Sequence, residues 1–149
     1  MLKSILALSL IAASLPSFAA SLLCGDTTVS VVEPASVGDP YFRVILKNKA
    51  INKIYSYEIQ KNFLHLRCDE TRAGVKVLFF NHFCGGSGCA DYGNFGIIET
   101  KTGAILLEPD QPHTGNLQRA KEIMGKDIKK FTCSKESGEI CIHSKVELG

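Results

Sequence analysis

The sequence predicts a mainly β fold: a single disulfide-stabilised antiparallel β domain, built as a sandwich, a bent sheet or a barrel-like form, with one short amphipathic helix. Three observations carry that expectation. Apolar residues alternate with period two in many short runs rich in β-branched side chains, and Gly, Pro, Asp and Asn punctuate those runs. One segment alone has helical spacing. All six cysteines follow an export-type leader, the arrangement of a small domain held by disulfides in an oxidising compartment.

The leader, "MLKSILALSLIAASLPSFAA", offers Lys3, an apolar run from Ile5 to Leu15, a breaker at Pro16 and small residues at Ser17 and Ala19. This order is that of a secretory signal peptide over residues 1–19, cleaved near Ala19. The run is shorter than the roughly 18 apolar residues a membrane span requires, and no later run is longer, so no membrane span is expected. Leu23 before Cys24 does not suit a lipid-anchoring signal. Residues 20–149 are expected to form one periplasmic β-rich domain.

Strands are expected at "TTVSVVE" (27–33), "YFRVILKN" (41–48), "KIYSYEI" (53–59), "FLHLRC" (63–68) and "VKVLFFNHF" (75–83). Further strands are expected at "FGIIET" (95–100), "AILLEP" (104–109), "IKKFTC" (128–133) and "EICIHSKVEL" (139–148). "EPASVGDP" reads as a loop, "DETRAG" as a strand connection, and "TKTG" as a hairpin turn with Gly103 at positive φ. The helix is expected within "TGNLQRAKEIMGKD" (114–127): Leu117, Ala120, Ile123 and Met124 share a face, Asn116 offers a cap and Gly125 a stop.

The cysteines pair by local geometry first. A three-residue hairpin loop in "CSKESGEIC", with Gly138 left-handed, sets Cys133 opposite Cys141. The glycines between Cys84 and Cys89 allow the chain to double back within bonding range. Elimination leaves Cys24 with Cys68.

Charge is nearly balanced: 17 Lys and Arg, of which Lys3 lies in the leader, against 15 Asp and Glu. With no sustained basic stripe, nucleic acid is not an expected partner. Composition, 45% hydrophobic and 21% charged, is that of a globular chain.

The densest cluster of special residues is "HFCGGSGCADYGNFG" (82–96). A zinc site on Cys84, Cys89, His82 and His65 lacks the usual ligand spacing and a second cysteine pair, so no metal or other cofactor is expected. His113 and His143 stand apart, and a single histidine carries no site geometry. "CGGSGC" is not the C-x-x-C of a redox helix. Ser87 activated by His82 and oriented by Asp91 would make a nucleophile, but the elbow motif requires an alternating α/β chain and a glycine where Cys89 stands. No enzymatic activity is expected. Recognition remains: a disulfide-closed glycine loop is ordered before a partner arrives. Gly86, Ser87 and Gly88 form its tip, with Asp91, Tyr92, Asn94 and Phe95 as surrounding contacts.

With export, three disulfides, short strands and "CGGSGCADYGNFGIIETKTGAILLEP" together, the chain resembles periplasmic immunity proteins that protect Gram-negative cells against peptidoglycan amidases delivered by type VI secretion. The resemblance implies an inhibitor whose serine-bearing loop enters the cleft of a secreted cell-wall-degrading effector, with Ser87 as the plug. A second resemblance, in compartment, size and disulfide-held β structure, is to periplasmic lysozyme inhibitors. A small envelope hydrolase using Ser87 and His82 is the enzymatic alternative.

Overall fold

The computed structural model describes residues 20–58, 63–82, 93–109 and 115–143. The leader, the Cys84 to Cys89 pairing, and Gly86, Ser87, Gly88, Asp91 and Tyr92 lie outside the described residues.

Period-two patterning becomes two antiparallel sheets. In the first, β1 (Ala20–Cys24), β2 (Thr27–Val32), β3 (Tyr41–Lys47) and β4 (Asn52–Glu58) run as a meander in the order β1-β2-β3-β4. The second contains β5 (Phe63–Glu70), β6 (Lys76–Asn81), β7 (Phe95–Glu99), β8 (Ile105–Leu107) and β9 (Ile140–His143), in the order β8-β7-β6-β5-β9. Alternate residues of each sheet meet in one core: Val29, Val31, Phe42, Val44 and Leu46 from the first, and Leu64, Leu66, Leu78, Phe80 and Ile98 from the second. Facing alternation of this kind is what packs two sheets together.

The middle of the second sheet, β6 and β7, is buried on both faces. That accounts for the unbroken apolar run Val77, Leu78, Phe79 and Phe80 in β6, where alternation would leave every second residue wet. Val77, Phe79, Phe95, Ile97 and Leu107 face outward, and α1 (Leu117–Met124) covers them with Ala120 and Met124, both fully buried. Gly125 ends the helix in the left-handed conformation at φ 66°, and its amide bonds back to Lys121.

Two expectations need correction. "IKKFTC" is not a strand: Lys129 and Lys130 are exposed, and Ile128 and Phe131 drape over the outer core as irregular chain. The expected hairpin between Cys133 and Cys141 is likewise a disulfide-closed loop instead of a ladder. Cys133 is left-handed at φ 54°, and the Glu139 carboxylate accepts the Thr132 and Cys133 amides, both at 2.8 Å, where strand carbonyls would have stood. Residues 20–24, which carried no strand expectation, form β1 along β2.

Cys24 bonds Cys68 and Cys133 bonds Cys141. The first ties β1 of one sheet to β5 of the other. Its closed loop, with sequence separation 44, corresponds to about 4 kcal/mol of denatured-state entropy, against about 2.5 for the second at separation 8. Polar clamps add to this. Thr27 donates its hydroxyl to the Thr100 carbonyl at 2.9 Å, and the Tyr55 hydroxyl donates to the Gly103 carbonyl at 2.7 Å. Gly103 has the expected positive φ, 69°.

Candidate functional site

The chain leaves β6 at Asn81, passes through His82 into residues 83–92, and returns at Gly93 to enter β7. Both ends of that excursion are fixed by buried polar side chains. The His82 amide donates to the Asn94 carbonyl at 2.9 Å, carrying the β6–β7 ladder one bond beyond Asn81 and Phe95. The Asn94 amide donates to Asn81 Oδ1 at 3.1 Å, and its side-chain Nδ2 donates to the Pro109 carbonyl at 2.9 Å. Asn94, expected among the contact residues, is thus 1% exposed and holds the base of the loop.

Asn116 locks the returning strand. Its Oδ1 accepts the Phe95 amide at 2.7 Å, its Nδ2 donates to the Phe95 carbonyl at 2.8 Å and to the Glu108 carbonyl at 3.3 Å, and its own amide donates to Gly93 at 3.0 Å. Sequence reasoning placed Asn116 as a helix cap. It has that position, but its side chain makes no capping bond because it is spent on Phe95. Gly93 is required here: a Cβ would lie 2.0 Å from the Phe95 ring.

His82 is buried, and its Nε2 donates to the backbone carbonyl of Glu58 at the end of β4, joining the two sheets. Burial holds its pKa below the ordinary imidazole value, partly offset by that bond and the Glu58 charge. The ring leans on Tyr57, which in turn leans on Phe80. Beside them opens a cleft of about 410 Å³ lined by Tyr55, Tyr57, Glu58, His82, Glu108 and Pro109. Burial and the Glu108 carboxylate push the Tyr57 phenol far above its usual value, so the cleft presents neutral phenols and acid.

On the outer face of β5 lies a second group. His65 Nε2 is 3.3 Å from His143 Nε2, with Phe131 against the His65 ring and the Cys133 and Cys141 sulfurs close by. His143 is therefore not isolated, as its place in the sequence implied. The signal was the β5–β9 pairing, which sequence alone does not give. Arg67, two residues from His65, is held by Asp69 at 3.1 Å and Glu139 at 3.5 Å and stacks on Phe79 and Phe131.

No family model, curated protein or solved structure matches the chain. The class defined is therefore architectural: among the described residues, an antiparallel β domain of two sheets with one covering helix and two disulfides. Among the described residues no helix is long and apolar enough to cross a membrane.

Proposed function

We propose that this chain is a non-enzymatic periplasmic immunity protein: a binding domain that inserts the 84–92 part of the expected 84–95 loop into a secreted peptidoglycan amidase and occludes it, with Ser87 at the tip and the buried Asn94 and Phe95 left in the sheet. The observation that supports this reading is the root of the loop. Buried His82, Asn94 and Asn116 fix both ends of residues 83–92 to the sheet and to the neighbouring Glu108 to Pro109 segment. Fixing the two ends lowers the ordering cost of a segment held between them, so less affinity is lost on binding. Glycines at 85, 86 and 88 leave backbone groups accessible, and a serine hydroxyl both donates and accepts. His82, the base an envelope hydrolase would need beside Ser87, has its Nε2 engaged by the Glu58 carbonyl.

The test is inhibition of peptidoglycan hydrolysis by candidate secreted amidases, with the protein added in stoichiometric amounts. Wild type is expected to block one such enzyme while turning over no peptidoglycan itself. Ser87→Trp is expected to abolish the block without moving the thermal melt. Undiminished inhibition by that variant, or peptidoglycan cleavage by the purified protein alone, overturns the proposal.

A further inference from the structure

We propose that His65 and His143 form a two-histidine chelate for a divalent transition metal, Zn²⁺ in the first instance, on the outer face of the second sheet. The register makes the pair. His65 lies opposite Cys141 on β9, and His143 lies two residues further along, opposite Phe63. Side chains two apart on neighbouring strands share a face and come within reach of each other when long.

The spacing is that of a chelate. Two imidazole nitrogens bound to tetrahedral zinc at about 2.0–2.1 Å lie about 3.3–3.4 Å apart, with ring centres about 5.2 Å apart. The structure has the nitrogens at 3.3 Å and the ring centres at 5.3 Å. Rings aimed head-on at each other across the same gap would place their centres about 5.6 Å apart by the same ring dimensions. Imidazole nitrogen suits Zn²⁺, Cu²⁺ and Ni²⁺.

The surroundings favour a cation. Glu139, whose charge acts on His65, lies nearby, and the guanidinium of Arg67, two residues along β5, is engaged by Asp69 and Glu139. Phe131 packs on the His65 ring and restricts its orientation. The sulfurs of Cys133 and Cys141 lie close to the His65 nitrogens, but they are joined to each other, so the donors are the two imidazoles. Remaining positions on the metal are left for water or for a donor from a partner.

The measurement is calorimetric titration of the full, oxidised chain with ZnCl₂, after a thiol assay finds no free cysteine. One saturable Zn²⁺ per chain is expected. Since loss of even a supporting residue weakens metal sites on the order of 10–100-fold, His143→Ala should weaken binding at least that much. His113→Ala should bind as wild type does. His143 is exposed near the end of β9, so its truncation should leave the metal-free melt unchanged. Pulsed EPR of the Cu²⁺-loaded wild type is a second readout needing no variant, and it should show two coordinated imidazoles. Absence of saturable binding, unchanged affinity in His143→Ala, or a single imidazole on Cu²⁺ overturns the proposal.

Discussion

The His82 ring reaches from the end of β6 to donate a hydrogen bond to the backbone carbonyl of Glu58 at the end of β4, so one imidazole ties the two sheets together at the last described residue before 83–92. Removing it leaves the partly buried Glu58 carbonyl without its donor and a void beside Tyr57. His82→Ala should therefore cost roughly 2–4 kcal/mol, the sum of an unsatisfied acceptor and a cavity. His82→Gln, which can still donate, should cost less. Urea midpoints of the two variants check the order; equal midpoints for His82→Ala and wild type would remove the bond from the account.

Acid should unfold the protein in two stages. Burial holds His82, and burial together with His143 holds His65, below the ordinary imidazole value of 6.5. The unfolded chain therefore takes up protons first. Stability is full above pH 6.5, declines as pH falls below it, and stops declining from this source beneath the folded values. Burial alone would raise Asp69, but hydrogen bonds from Lys126, the Glu70 amide and Arg67 outweigh it; for Glu139 the Cys133 and Thr132 amides, with Ser137 and the Thr132 hydroxyl, do the same. These carboxylates stabilise the fold above their ordinary values of 3.8 and 4.5, and that contribution is lost as pH falls below them. Urea midpoints between pH 8 and 3 should show both declines, with His82→Gln shrinking the first alone. A flat profile from pH 7 to 5 contradicts the histidine assignment.

Strand alternation made most of the sheets legible in the sequence, because burial on one face writes period two into β2, β3 and β5. It failed where burial was of another kind. Ile128 and Phe131 are apolar because they cap the outer core, so "IKKFTC" resembles a strand without pairing as one. Ala20–Cys24 lay against the leader and had too little alternation of its own; its strand exists because β2 supplies a partner. At the site, the residues that fix the loop, Asn81, Asn94 and Asn116, are ordinary polar residues whose roles depend on long-range neighbours. The side chain of Asn116 serves Phe95, 21 positions away. The same holds for His65 and His143, joined only through the β5–β9 register.

Asn116 should matter more to the fold than a helix cap. Its amide satisfies the N–H and C=O of Phe95 in a buried environment and the partly buried carbonyl of Glu108. Asn116→Ala should cost about 2–4 kcal/mol, above the roughly 1 kcal/mol of a lost cap. Asn116→Asp keeps the acceptor for Phe95 but loses both donated bonds and sets a carboxylate against two carbonyl oxygens, so it should be no milder. Amide hydrogen exchange offers the sharper check: the Phe95 amide should exchange faster in both variants relative to Ile98, and equal protection would mean the side chain is not its partner.

Gly96 and Phe80 face each other across the β6–β7 ladder, and a Cβ at Gly96 would stand 2.0 Å from the tip of the Phe80 ring. The missing side chain is what allows the ring to lie flat over the strand, fully buried and 4.9 Å from Tyr57. Gly96→Ala must therefore displace the ring, and overpacking of this kind costs about 1–3 kcal/mol. Phe80→Leu also destabilises, by leaving a void in the same core. The two changes should not add, because the shorter leucine vacates the space the alanine methyl needs. A double-mutant cycle on urea midpoints should show a favourable coupling of about 0.5–3 kcal/mol, the range for residues in contact. Because Phe80 supports Tyr57 and Tyr57 supports His82, Gly96→Ala should also perturb the His82 ring signals in an NMR spectrum, and Phe80→Leu in the same chain should bring them back towards wild type. Strict additivity, with His82 unmoved, would mean the ring is not held by the glycine opposite it.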